Sequence, residues 1–125
     1  MSAMNNELDP KLMSIQVGTQ AATITLPAQL IRKKSKILNV TYVDQAGIAA
    51  DNTNFLQLSL QVGSTVYATL DTRAANNGAN TALVGQPLTL AIAEIPANSQ
   101  LKLVVTKNGT GVPTLGQLYV ELFPY

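Results

Sequence analysis

Strict alternation of apolar and polar side chains most limits what this chain can fold into. In "FLQLSLQV", Leu56, Leu58, Leu60 and Val62 fall on one side, with Phe55, Gln57, Ser59 and Gln61 on the other. "STVYATLD" follows, with Val66, Ala68 and Leu70 predicted inward and Thr65, Tyr67, Thr69 and Asp71 outward. Successive side chains of a strand point to opposite faces, so both runs read as half-buried strands on a shared core. Gly63 between them reverses the chain without a Cβ penalty, which predicts a hairpin.

The same period recurs in "KILNVTYVD" from Lys36 to Asp44, at Leu88, Leu90 and Ile92, at Leu101, Leu103 and Val105, and at Leu118, Val120 and Leu122. "KNGTGVPTLG" is predicted to join the last two runs, with Asn108-Gly109 offering the positive φ of a tight reversal. Ile15 and Val17, then Ile24 and Leu26, predict one bent or broken edge strand. Helix is expected only as single turns in "LDPKLM" and "PAQLIRKK". The expectation is therefore all-β: a two-sheet antiparallel β-sandwich of seven to eight strands. Residues 1–13 lack the alternation and are expected to form a mobile N-terminal arm, leaving 14–125 as a single domain. "RAANNGANTALVGQP", residues 73–87, reads as a long loop of small and amide residues that faces a partner.

Composition then narrows function. The chain has neither histidine nor cysteine, which removes the commonest general base, the commonest metal ligand and all thiolate chemistry. A net charge of +1 produces no long-range field to attract nucleic acid. Charged residues are 12% of the chain, about half the usual share, and amides and hydroxyls replace them. Covering such a surface strips few full charges of water. It suits a protein packed against others. "MSAMNNELDPKLM" has no basic start and no apolar segment, so no signal peptide is expected, and no uncharged span reads as a membrane helix.

Candidate site residues are few. Arg32, Lys33, Lys34 and Lys36 hold half of the eight basic residues and read either as a partner anchor or as a solvated turn. Phe55, Tyr67, Tyr119, Phe123 and Tyr125 are predicted outward, as an interface, a glycan platform, or a face covered by the chain itself. Asp44, Asp51, Asn52 and Asn54 offer oxygen ligands, but their spacing matches no calcium loop, and Asx turns use the same residues without an ion. Ser35 beside Lys34 suggests a Ser-Lys pair, yet nothing in that basic cluster would lower the lysine pKa. No acid–base pair converges, so neither a catalytic residue nor a cofactor is expected.

The order "KILNVTYVDQAG", "DNTNFLQLSLQVGSTVYATLDT", "LVGQPLTLAIA", "IPANSQLKLVVTKNGTG" and "GQLYVEL", spanning about Ile24 to Leu122, resembles small bacteriophage virion proteins. That family supplies head decoration, auxiliary capsid and fibre-base components. The resemblance implies a jelly-roll-like sandwich with no enzymatic activity. It also implies binding to the major capsid protein or other virion proteins as a homo-oligomer, a trimer or pentamer rather than a monomer, at the virion surface. Neither a membrane nor nucleic acid is implied as partner. A carbohydrate- or receptor-binding module using Tyr67 and Tyr119, and a tail or baseplate component, remain the alternatives.

Overall fold

The computed structural model describes residues 11–18, 23–109 and 114–125. In chain order the strands are β1 (Lys11–Val17), β2 (Ile24–Ile31), β3 (Ser35–Asp44), β4 (Leu56–Val62) and β5 (Thr65–Asp71). Three two-residue strands follow, β6 (Gln86–Pro87), β7 (Thr89–Leu90) and β8 (Glu94–Ile95), before β9 (Ser99–Lys107) and β10 (Gly116–Pro124). One sheet has the order β1-β10-β3-β6, with β8 also on β3, and the other has β2-β9-β4-β5-β7. Every pairing is antiparallel. The described residues thus form ten strands rather than seven to eight. The surplus is the two-residue strands, which are too short to leave an alternation in the sequence.

A single hydrophobic core lies between the sheets. Leu56, Leu58, Leu60, Leu101, Leu103 and Val105 enter it from one side, and Val17, Ile37, Tyr42, Leu118 and Val120 from the other. This is the packing of a β-sandwich. Slipping β9 by one residue would turn Leu101, Leu103 and Val105 outward at about 2 kcal/mol each, so the alternation fixes the register. Tyr42 is fully buried and its hydroxyl donates to Asp44 Oδ1 at 2.7 Å. Burial, then the neighbouring Asp44, pushes that phenol far above its ordinary pKa. Gly116 passes beneath this pair, where a Cβ would strike the Val43 carbonyl and the Tyr42 hydroxyl.

Only β4 and β5 form the hairpin that the alternation predicts. The expected single N-terminal edge strand is two strands on different sheets, β1 beside β10 and β2 beside β9. Lys11, Leu12 and Met13, assigned by sequence to the arm, already belong to β1, while residues 1–10 lie outside the described residues. "PAQLIRKK" starts in strand rather than a helical turn. Pro27 is tolerated because β2 is an edge strand with a bulge between Pro27 and Gln29. β9 and β10 sit in opposite sheets, so the chain crosses the sandwich between them instead of turning back beside itself. Residues 110–113 of that connection are outside the described residues. Leu88 is buried, donating its amide to the Val40 carbonyl at 2.9 Å, but Leu90 and Ile92 are exposed, so no continuous strand joins the three.

Candidate functional site

Tyr67 faces inward, contrary to its predicted place, and is 4% exposed. The β4–β5 ladder pairs Leu60 with Ala68 but Gln61 with Val66, so Tyr67 is the extra residue of a bulge. That extra residue inverts the alternation and sends Val66 to the surface. The Tyr67 carbonyl accepts hydrogen bonds from the Ala91 and Ile92 amides at 2.8 and 3.3 Å. The tyrosine is a core residue and offers no ring to a ligand.

The four basic residues occupy the turn between β2 and β3, or the start of β3, and all are exposed. They divide into two groups. Lys34 places its amino group 4.8 Å from the Tyr125 ring centre, and its carbonyl accepts the Tyr125 amide at 2.9 Å. Burial and a hydrogen bond with Glu94 raise the Tyr125 phenol above its ordinary pKa. Lys36 is the cross-strand partner of both half-buried Phe123 and Glu94. Lys34, Lys36, Glu94, Phe123 and Tyr125 therefore make one mixed cluster. Arg32 and Lys33 instead line an apolar mouth between the sheets, beside Leu30 and Leu122. Ser35 is buried and donates its hydroxyl to the Lys33 carbonyl at 2.9 Å, closing the turn.

Tyr119 stands apart from this cluster. It lies six residues before Tyr125, a separation of about 20 Å along a strand. It is 37% exposed on the outer face of the β1-β10-β3 sheet. A shallow hollow of about 290 Å³ opens beside it, lined by Val43, Leu83, Leu115, Gln16 and Gln117. Leu83, at 73% exposure and φ 57°, projects from the loop ahead of β6, with exposed Val84 next to it. The same loop is tied to the domain by the paired backbones of Ile48 and Asn80. Sequence reasoning missed Leu83 and Leu115 because neither sits in an alternating run.

A second unpredicted feature caps β4 and β5. Asp71 accepts hydrogen bonds from Arg73 Nη2 at 2.6 Å and Gln57 Nε2 at 2.9 Å, and Arg73 covers the Phe55 ring at 4.5 Å. Burial pushes the Asp71 carboxyl up, but the bonds from Arg73 and Gln57 outweigh it and hold it below the usual carboxylate range. Beside this network a groove of about 680 Å³ runs over the outer face of β4, β5 and β9, lined by Gln57, Ser59, Thr69, Asn76 and Thr106. The acidic and amide residues weighed for calcium do not converge. Buried Asp44 accepts from Tyr42 and from the Ala46 amide, and Asp51 caps the Thr53 and Asn54 amides at 2.7 and 3.0 Å. Asn52 accepts from the Ala74 amide. Among the described residues, no three Asp or Glu side chains gather as a metal cluster, and no helix is long and apolar enough to cross a membrane.

Fold and surface together define an antiparallel two-sheet domain with shallow, sparsely charged outer faces. No protein-family model and no curated protein matches the chain. Its fold is similar to that of a chain in the cyanophage Pam1 capsid asymmetric unit, with a TM-score of 0.59. The likeness covers 94% of this chain and 84% of that chain at 15% sequence identity.

Proposed function

We propose that this chain is a non-enzymatic structural protein of a phage virion, a head decoration or auxiliary protein that binds the assembled capsid shell. The observation that carries this reading is the similarity of fold to a phage capsid chain over 94% of this chain and 84% of that one. The strand orders support it: β1-β10-β3-β6 faces β2-β9-β4-β5, and all connections except β4–β5 cross between sheets. We infer from that winding a jelly roll, the double-sheet architecture of many capsid domains.

The surface that best fits the shell is the outer face around Tyr119, with Leu83, Leu115 and Val43, where ring and aliphatic groups stand among uncharged amides. Lys34, Lys36, Phe123 and Tyr125 extend the contact at one end, and Tyr67 is withdrawn from it. Closed symmetry of the shell favours a trimer or pentamer of this chain, on the virion surface. The test is immunogold labelling of intact virions. Label on heads supports the proposal, label confined to tails supports the tail or baseplate alternative, and unlabelled particles reject both.

The groove over β4, β5 and β9 favours one second reading. Its hydroxyl and amide lining suits a neutral glycan, at a place different from the Tyr67 platform read from sequence. Retention on a glycan array, lost in Asn76→Ala, would support it.

A further inference from the structure

The groove over β4, β5 and β9 has an internal order. Its ladders place Thr89 beside Thr69, Thr69 beside Ser59, and Ser59 beside Val104, so four strands contribute to one row across the sheet. A second row, from Asp71 to Gln57 to Thr106, runs parallel to it two residues further along the strands. Both rows line the groove. Neighbouring strands lie about 4.8 Å apart, so the three steps of the first row span about 14 Å. Three hydroxyls in line on a fixed backbone match a ligand that itself repeats hydroxyls along a line.

The polar groups are held in place by the protein itself. Gln57 donates Nε2 to Asp71 Oδ2 at 2.9 Å and accepts Asn108 Nδ2 on Oε1 at 3.2 Å, so both ends of its amide are anchored. Gln61 Nε2 donates to Ser59 Oγ at 2.8 Å, and as the acceptor of that bond Ser59 keeps its O–H as a donor. Asn77, on the turn that walls one end, accepts the Asp71 amide on Oδ1 at 2.9 Å. Side chains fixed in this way lose little further freedom when a ligand arrives.

Charge then selects the ligand. Among the described residues that line the groove, Asp71 alone is charged, and its carboxylate is bonded by Arg73 Nη2 at 2.6 Å. The lining therefore offers no cation to a sulfate, a phosphate or a uronate. Hydroxyls and amides remain, with the half-buried Val104 as an apolar rest at the end of the first row. A volume of about 680 Å³ is large for a single sugar and suits a short chain of them.

We propose that this groove binds a linear, uncharged oligosaccharide laid across the strands, its hydroxyls meeting the Thr89–Thr69–Ser59 row and Gln57, and one sugar face resting on Val104. The inference rests on the glycan reading above and adds the ligand's class, its direction and the residues that fix both.

The test is NMR titration of the full chain with neutral glucose and galactose oligomers of increasing length, and with oligogalacturonate as the charged counterpart. Affinity for a neutral oligomer should rise with length until the row is filled and then level off. Thr69→Val and Thr89→Val remove a hydroxyl but keep a β-branched side chain suited to a strand. Each should weaken binding about threefold to tenfold, while Thr41→Val on the other sheet should leave it unchanged. Failure of every neutral oligomer to bind would overturn this inference and the glycan reading together. Binding untouched by both groove variants, or equally tight for oligogalacturonate, would overturn this inference and leave the glycan reading standing.

Discussion

Alternation along β9 makes the sharpest energetic prediction. Leu103 is fully buried and pairs with Leu26 on one side and Leu60 on the other, at the centre of its sheet. Leu103→Ala removes the transfer energy of the lost atoms and leaves a cavity that a strand paired on both sides cannot easily collapse, together about 3–4 kcal/mol. Val105→Ala, also fully buried, should cost about 2–3 kcal/mol by the same reasoning. Val104 lies between them, half-buried on the outer face beside the groove, so Val104→Ala should cost under about 1 kcal/mol. A domain of this size has about 6–19 kcal/mol in total, so all three variants should fold. Denaturant titration with a common slope reads the three midpoints directly. If Val104→Ala destabilised as much as its neighbours, the outer face of this sheet would itself be buried, and the two-layer arrangement would be wrong.

Further expectations concern individual side chains. Tyr67→Ala should cost about 3 kcal/mol in thermal or denaturant unfolding, while Tyr119→Ala should stay within about 1 kcal/mol, because only the first ring is in the core. Gly116→Ala should destabilise by about 1–3 kcal/mol, since the added Cβ meets the Val43 carbonyl and the Tyr42 hydroxyl; an unchanged midpoint would contradict that packing. Asp71 titrates below the usual carboxylate range when folded, so its stabilisation is present above the unfolded value and lost as pH falls through the lower folded one. Arg73→Ala should therefore flatten part of the acid limb below about pH 4 in pH-dependent unfolding. The effect should be small, because the Arg73 side chain is 39% exposed and solvent screens the pair.

Much of the fold is legible in the sequence because burial here has period two. Leu56, Leu58, Leu60, Leu101, Leu103 and Val105 fall where the alternation puts them, and so do Leu118, Val120 and Leu122. What the alternation misses is which sheet each strand joins. Nothing local distinguishes a tight reversal at Asn108-Gly109 from a crossing between layers, because both need the same turn residues. Bulges are likewise silent. One extra residue at Tyr67 exchanges inside for outside, and no residue type in "STVYATLD" marks it. Pro27 misled in the other direction: it fits a first helical turn, yet an edge strand at a bulge tolerates it equally.

The candidate site was less legible for a related reason. Arg32, Lys33, Lys34 and Lys36 look like one basic patch, but the turn sends two toward the mouth and two toward Tyr125 and Glu94. Leu83 and Leu115, which line the hollow beside Tyr119, come from loops far apart in sequence. Only the folded connections bring them together. The Asp71–Arg73 pair had a readable signal in "DTR" at a strand end, where a carboxylate and a guanidinium two positions apart share one face.

Rebinding to a stripped shell tests the virion role most directly. Purified protein is added to capsids freed of their auxiliary proteins, and the particles are imaged by cryo-electron microscopy. The account predicts added density at symmetry-related sites, shaped as a two-layer β domain with the Tyr119 face against the shell and lost in Tyr119→Asp. Shells that remain bare at saturating protein would contradict it.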